Sequence, residues 1–289
     1  MKYFKILNEK ETHNGLRYKI GMNKDALPFN PSGSCQPGGL YFSDVKNIFR
    51  FVNYGPWIRE VIIPKGEVIY TDPEGDKYKA HRIKLGKRMK LWDEDTMTIL
   101  LDLGADVHAG YDHALRWAAE KGHTEIVKLL LDLGADIHAK GDYALRWAAE
   151  KGHTEIVKLL LDLGADIHAK GDHALRWAAE KGHTEIVKFL IDLGADIHAQ
   201  DDYALSWAAS NGHTEVVKLL IDLGADIHAK ENHALRWAAN NGHIEVVKLL
   251  FNHGADVHAG NDCALRWAAD NGHTEVVKLL KHGKDEDKH

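Results

Sequence analysis

The chain has 289 residues, of which 44% are apolar and 28% are charged, a balance typical of a folded protein rather than a disordered one. Its net charge of −6 is unevenly divided: residues 1–90 hold 17 basic and 9 acidic residues, a net of +8, whereas residues 91–289 hold 20 and 34, a net of −14. The sequence has no run of about 18 apolar residues that would span a membrane and no signal peptide, and its two cysteines, Cys35 and Cys263, offer no disulfide framework.

Residues 1–83 are predicted to form a small α+β domain. Five short segments are rich in aromatic and β-branched residues and are separated by Gly, Pro and Asn, which is typical of strands. These segments are KYFKIL (2–7), LRYKI (16–20), GLYF (39–42), REVIIP (59–64) and EVIY (67–70). The segment 44–54 predicts one helix, because its apolar residues recur at helical spacing.

Three features in this part of the chain suggest chemistry, and for each we favour a structural explanation. Cys35 with His13 or His81 could pair a nucleophile with a base, but no local signature supports this. Residues 38–39 are paired glycines without the spacing of a phosphate-binding loop, so they predict a turn. The basic run 84–90 could contact nucleic acid, and we interpret it as a solvated linker.

The rest of the chain repeats with a period of 30 residues. ALRWAA, once ALSWAA, begins at Ala114 and returns every 30 residues, and a Gly-His pair follows at the same interval from Gly122. The six units are 110–139, 140–169, 170–199, 200–229, 230–259 and a truncated 260–283. They are preceded by residues 84–109, interpreted as the linker and a degenerate capping half-repeat, and followed by a polar tail, 284–289.

Each unit predicts two short helices. In the second repeat, 140–169, the first helix is predicted to run from about Ala144 to Lys151 and to end at Gly152. The second helix is predicted to end at a left-handed cap, Gly164. An Asp or Asn two residues before each leading Ala predicts an N-cap. These residues are Asp112, Asp142, Asp172, Asp202, Asn232 and Asp262. Because so small a pair cannot bury its own apolar face, neighbouring units must stack into a solenoid.

The motif GHTEIVKLLLDLGADIHA resembles the ankyrin repeat, and it recurs over about two thirds of the chain. The unit of 30 residues is shorter than the family's unit of about 33, and residues 143–146 read Tyr-Ala-Leu-Arg where the family has Thr-Pro-Leu-His. The missing residues fall where the family carries a projecting hairpin, so we expect shortened fingers. The resemblance implies a mainly α fold: an ankyrin-type helical-pair solenoid with a small N-terminal α+β domain.

The 30-residue unit, with its Trp and its Arg, is similar to the ankyrin arrays of giant viruses related to mimivirus. The N-terminal domain resembles a small module, with no assigned activity, at the front of giant-virus ankyrin proteins and of some phage and bacterial proteins. The matching segments are CQPGGLYF (35–42), GEV (66–68) and DKYKAHRIKL (76–85).

Histidine and tryptophan are the residues of the array that most invite a ligand. Twelve of the 20 histidines are locked to the repeat, and we expect them to make turn hydrogen bonds, because a zinc site needs about four ligands that converge on one ion. The six tryptophans from Trp117 to Trp267 could form a ligand-binding ladder, but their place between Leu and Ala-Ala predicts the core. We predict no catalytic residue, no metal and no cofactor.

The resemblance implies a partner-binding groove formed by the tips of the units and the exposed ends of the first helices. The first three units share a Glu-Lys pair there and differ from one to the next at 3 of 30 positions, so they hardly encode distinct contacts. From residue 200 onward these positions change, and they are our primary candidates. They are Gln200, Asp201, Ser210, Asn211, Lys230, Glu231, Asn240, Asn241, Asp270 and Asn271. The secondary candidates are Glu120, Lys121, Glu150, Lys151, Glu180 and Lys181.

A second row of residues lies at the base of the tips. These residues form either an exposed aromatic strip or packing contacts in place of the family's Thr. The row consists of His113, Tyr143, His173, Tyr203, His233 and Cys263.

We expect a monomeric, non-enzymatic scaffold or adaptor that binds a protein partner, in a host-interaction role if the chain is viral. Its expected location is intracellular and cytoplasmic, with the nucleus left open, and we expect neither a membrane nor a nucleic acid as partner. One alternative makes the array a targeting arm for an enzymatic, sensing or nucleic-acid-binding N-terminal domain, since that domain is basic. Another treats the near-identical units as recent duplications with little function.

Overall fold

The computed structural model describes residues 1–30 and 36–286, with side chains as far as Lys281. They form two compact units, Met1–Lys140 and Gly141–His289, and each is described by itself. The hypothesis about Cys35 lies outside the described residues.

The described residues of Met1–Lys140 begin with nine strands: β1 Tyr3–Leu7, β2 Thr12–His13, β3 Leu16–Arg17, β4 Gly21–Lys24, β5 Leu40–Asp44, β6 Trp57–Ile62, β7 Tyr70–Thr71, β8 Tyr78–Ala80 and β9 Arg82–Lys90. Seven of them form an antiparallel sheet in the order β4-β9-β6-β1-β5-β8-β7, and β2 and β3 form a separate hairpin. The predicted helix at 44–54 is a 3-10 helix, Ile48–Tyr54.

The basic run 84–90 belongs to this sheet. Strand β9 pairs with both β4 and β6, and Ile83 and Leu85 are buried while Arg82 and Lys84 face solvent. The interpretation of this run as a solvated linker is therefore wrong. The alternation of apolar and basic residues is the signal that could have identified the strand.

The first repeat packs against the sheet domain within the first unit. The His113 ring nitrogen Nδ1 lies 3.1 Å from the Arg50 carbonyl oxygen, and the ring of Trp92 stacks on His123 at 5.2 Å between centroids. In the capping half-repeat, Asp106 donates its backbone N–H to the carbonyl oxygen of Lys46, at 3.1 Å. The 3-10 helix and the segment before it therefore contact both the capping half-repeat and the first repeat.

Helical pairs make up the rest of the described chain. The helices are α1 Glu94–Asp102, α2 Ala109–Lys121, α3 Thr124–Asp132, α4 Ala139–Lys151, α5 Thr154–Asp162, α6 Ala169–Glu180, α7 Thr184–Asp192, α8 Ala199–Ser210, α9 Thr214–Asp222, α10 Ala229–Asn240, α11 Ile244–Asn252, α12 Ala259–Asp270 and α13 Thr274–Glu286. The predicted fold class, a helical-pair solenoid with a small sheet-containing domain, is confirmed.

Within Gly141–His289, the first helices of neighbouring repeats pack against one another. Helix α8 packs against both α6 and α10, and its Ala208 and Ala209 are fully buried. The predicted left-handed cap is also confirmed: Gly164 has φ +96° and donates to the Leu161 carbonyl oxygen at 3.0 Å.

Candidate functional site

The tip of each repeat is a left-handed turn of three residues, which lies inside the bounds of the first helix and interrupts its right-handed backbone. In the fourth repeat, Gln200, Asp201 and Asp202 have φ values of 58°, 59° and 56°. The described residues 94–286 contain no β-strand, so this turn stands where a hairpin finger would project. Gln200 and Asp201 are exposed at the turn, as are Lys230 and Glu231 in the next repeat.

The third residue of the turn anchors the following loop of its own repeat. The buried Asp202 carboxylate accepts the Asp226 backbone N–H at 2.8 Å and lies 3.1 Å from Nδ1 of His198. The bond to the residue 24 positions later recurs at Asp112, Asp142, Asp172 and Asn232. The predicted N-cap role of these side chains is therefore wrong, because the donor belongs to a distant loop rather than to the first turn of the helix.

The Arg of the ALRWAA motif stabilises the left-handed turn. Arg176 is buried and donates from Nε to the Gly171 carbonyl oxygen and from Nη2 to that of Lys170, both at 2.9 Å. Burial lowers the pKa of this guanidinium, an effect opposed by Asp172 and Tyr203. In the fourth repeat the same position is Ser206, whose side chain is too short to reach the turn carbonyls.

Within Gly141–His289, the histidines of the Gly-His pairs link adjacent repeats. Nε2 of His213 lies 2.8 Å from the Glu180 carbonyl oxygen, and the same contact joins His183, His243 and His273 to the repeat before. The prediction of hydrogen-bonding turn histidines is confirmed at these positions. Each contact satisfies a carbonyl near the end of a first helix, which would otherwise lack a partner in its own helix.

Three carboxylates of the sheet domain, on Asp72, Glu74 and Asp76, have oxygens within 4.8 Å of one another. Such a group could hold a cation. One oxygen of Asp76 is already paired with Arg50 at 3.1 Å, which neutralises part of the cluster. We therefore treat the cluster as part of the turn that joins β7 to β8.

The secondary candidate residues are paired with each other. Lys151 lies 3.0 Å from the Glu150 carboxylate and 4.8 Å from the ring centroid of Trp147. Lys121 with Glu120 and Lys181 with Glu180 form the same pair, at 2.8 and 2.7 Å. These helix ends therefore present ion pairs that are already satisfied.

Except for Asp270, the primary candidates at the helix ends are uncharged side chains that form a row. Asn241 donates from Nδ2 to the Ser210 carbonyl oxygen at 2.7 Å and lies 3.1 Å from its hydroxyl. One repeat further along, Asn271 donates to the Asn240 side-chain oxygen at 3.0 Å. Asn211 is exposed and bonds the Trp207 carbonyl oxygen at 2.9 Å. Asp270 is exposed at the edge of this row.

The tryptophans are not core residues. All six are partly exposed, and Trp237 reaches 36% exposure, so the predicted placement in the core is wrong. Each of the first five packs against the residue four positions earlier, as Tyr143 does on Trp147 with ring centroids 5.3 Å apart. In each of these five repeats the second-row residue therefore packs beside the tryptophan. The second-row residues from His113 to His233 are half-buried, and Cys263 is buried.

The family follows from this repeat geometry together with the sequence. Residues 91–289 match the family model for ankyrin repeats, in four overlapping segments: 91–171, 115–201, 147–231 and 205–289. The chain belongs to the ankyrin-repeat family. Ankyrin repeats are generally protein-interaction modules and are typically not enzymes.

Three relatives come from Acanthamoeba polyphaga mimivirus. R229, named an ankyrin repeat protein, is 36% identical over 140 residues, which is 44% of this ankyrin-repeat chain and 46% of R229. R868, also named an ankyrin repeat protein, is 37% identical over 44% of the chain and 64% of R868. R869, named an uncharacterized protein, is 37% identical over 43% of the chain and 94% of R869. The matched segment thus spans about half of R229 and less than two thirds of R868.

Among the described residues, no helix is both long enough and apolar enough to cross a bilayer.

Proposed function

We propose that the ankyrin array binds a protein partner and acts as a non-enzymatic scaffold or adaptor, with the contact surface in the repeats from residue 200 onward. The family supports the general role, because ankyrin repeats are interaction modules. The position of the surface is supported by one observation: the helix ends change from satisfied ion pairs to uncharged pairs at 210–211 and 240–241, beside an exposed Trp237.

The chemistry of this surface suits a protein surface with both apolar and polar groups. Trp237 lies one helical turn before Asn241, and its backbone carbonyl oxygen accepts the Asn241 backbone N–H at 3.1 Å. The aromatic ring of Trp237 and the side-chain amide of Asn241 therefore belong to adjacent turns of the chain. Large aromatic side chains beside polar groups often carry most of the binding energy of an interface. The tips add Gln200, Asp201 and Lys230, which are exposed and could select the charge of the partner.

The proposed partner is a protein of the cell in which the chain is made. The named relatives are proteins of a virus that infects an amoeba, so host proteins are among the candidates if this chain is viral. The proposal places the interaction inside the cell, in the cytoplasm or the nucleus.

A swap between repeats tests the location of the surface. We would replace Ser210-Asn211 and Asn240-Asn241 with Glu-Lys, the pair that the chain itself carries at 150–151 and 180–181. These helix ends accept Glu-Lys elsewhere in the array, so the repeats should still fold. Affinity purification of the tagged chain from its native cell, with quantitative mass spectrometry, should show that the enriched partner is lost.

The reverse swap is the matched control. Replacing Glu150-Lys151 and Glu180-Lys181 with Ser-Asn should leave capture of the same partner unchanged, with circular dichroism confirming that both variants are folded. The proposed location fails if the first variant still captures the partner, or if both variants lose it equally.

A further inference from the structure

The sheet domain contains a cavity of about 230 Å³ that the proposed function of the array does not use. It lies where β1 and β5 meet the 3-10 helix, and its walls include five aromatic side chains. The walls also carry Lys5, Lys77 and His13, and no Asp or Glu is among the described residues that line it. A concave site with apolar walls and a few polar groups is the usual form of a small-molecule site.

Lys5 is the unusual group of this cavity, because it is a buried amine with no carboxylate partner among the residues that the structure describes. Lys5 belongs to strand β1 and is 4% exposed. The ammonium donates to the Tyr41 carbonyl oxygen at 2.6 Å, lies 3.4 Å from Nδ1 of His13 and sits 4.6 Å from the ring centroid of Tyr18. A carbonyl, an imidazole and a phenol ring are all uncharged partners.

The neighbours of Lys5 stay uncharged near neutral pH. Burial, followed by the charge of Lys5, lowers the pKa of His13 to about 4, so its imidazole is neutral. Burial, assisted by Asp25, raises the pKa of the Tyr18 phenol above its usual value of about 10. Burial lowers the pKa of Lys5 from 10.5 to about 7, and no acid among the described residues offsets the loss of hydration.

A buried cation in a site with basic lining residues and no acid is complementary to an anion. The aromatic walls, which include Phe51 and Tyr54 of the 3-10 helix, favour a flat apolar body attached to that anion. We propose that this cavity binds a small aromatic carboxylate, whose carboxylate group pairs with the ammonium of Lys5 and whose ring packs against the aromatic walls.

Lys79 provides an internal comparison. It is also fully buried, donates from Nζ to the Gln36 carbonyl oxygen at 3.0 Å and lies 5.0 Å from the ring centroid of Tyr41. It resembles Lys5 in burial and in its carbonyl partner, but it is not one of the residues that line the cavity. Removal of its charge should therefore leave the proposed ligand unaffected.

The test is isothermal titration calorimetry of the full chain with benzoate, and with benzamide as a neutral molecule of the same shape. The wild-type protein should bind benzoate at least tenfold more tightly than benzamide. Lys5→Met should weaken benzoate binding at least tenfold and Lys79→Met by less than twofold. Replacing an unpaired buried charge with an apolar side chain of similar length is expected to preserve the fold.

Proton linkage gives a second measurement that needs no variant. Burial lowers the pKa of Lys5 to about 7, and a bound carboxylate raises it, so binding at pH 8 should take up protons from buffer. Titrations in two buffers of different ionisation enthalpy measure this uptake. The proposal is overturned by no benzoate binding at millimolar concentration, by equal affinity for benzamide, by an unaltered affinity in Lys5→Met, or by binding without proton uptake.

Discussion

The imidazole ring of His183 occupies the space that a side chain on Gly152 would fill. A Cβ atom on this glycine would lie 2.6 Å from Cε1 of the histidine, closer than real Cβ contacts allow. The glycine also has a φ of +80°, a left-handed conformation that favours glycine. Gly152 therefore ends its helix and also leaves the space that the His183 ring of the next repeat occupies.

Replacing this glycine should cost more inside the array than at its last repeat. Gly182→Ala places a Cβ 2.6 Å from the His213 ring at φ +78°, whereas a Cβ on Gly272, at φ +76°, meets no atom of the described residues within 4 Å. The left-handed conformation alone costs about 1–2 kcal/mol, and overpacking adds about 1–3 kcal/mol. Urea denaturation followed by circular dichroism should show a loss of about 3 kcal/mol for Gly182→Ala and about 1 kcal/mol for Gly272→Ala. Equal losses would show that the histidine contact contributes nothing.

The anchoring bond of the left-handed turn can be tested at Asp172, which accepts the Asp196 backbone N–H at 2.8 Å. Asp172→Asn should change the free energy of unfolding by less than about 1 kcal/mol, because Asn232 makes the equivalent bond at 2.9 Å. Asp172→Ala leaves the donor unpaired and puts Ala at φ 54°, so it should cost about 3 kcal/mol. Thermal and urea unfolding measure both variants. An alanine variant as stable as the asparagine variant would contradict the anchoring role.

The middle residue of the turn is glycine in some repeats and not in others. Glu231 has φ 58° and is exposed, whereas Gly171 occupies the same place at φ 68°. Glu231→Gly should stabilise the protein by about 1 kcal/mol, because a side chain in the left-handed region is strained. The reverse change, Gly171→Glu, should destabilise it by a similar amount. Unfolding midpoints in urea that move in the opposite directions would refute this account.

His173 should make stability depend on pH. Burial, followed by the charges of Arg176 and Arg146, lowers its pKa from 6.5 to about 4. Above pH 6.5 the imidazole of His173 is neutral in the folded and unfolded states, so it does not change the free energy of unfolding. Between pH 6.5 and 4 the unfolded chain binds a proton at this imidazole and the folded chain does not, so the free energy of unfolding falls. In His173→Tyr this part of the loss should disappear, since Tyr143 and Tyr203 occupy the same position in neighbouring repeats. The expected difference between pH 7 and pH 5 is about 1 kcal/mol, after allowance for partial exposure.

The parallel pH series of urea denaturation for the two proteins decides this point. Other histidines and carboxylates titrate identically in both chains, so the difference isolates His173. Identical pH dependence in wild type and variant would show that this imidazole is protonated as easily in the folded state as in the unfolded chain.

The candidate surface was predictable only in part. The positions at the helix ends follow from the period of 30, and the structure places Ser210 with Asn241 and Asn240 with Asn271. Their hydrogen bonds to each other come from residues 31 positions apart, and no local pattern specifies such a pair. Lys5 was missed for a similar reason: between Phe4 and Ile6 it has the pattern of an outward-facing strand residue, and the Tyr41 carbonyl that holds it is 36 positions away.

The sequence by itself determined the repeat, the two helices of each unit and their glycine ends, because these depend on interactions between residues at most about four positions apart. Only the tertiary structure decided the roles that depend on distant partners. Asp202 anchors a loop 24 residues later instead of capping its helix, strand β9 completes a sheet instead of forming a linker, and the exposure of Trp237 depends on how neighbouring helices stack. The physical reason is that a side chain's role is set by the groups that surround it in space, and in this protein those groups come from other strands, loops and repeats.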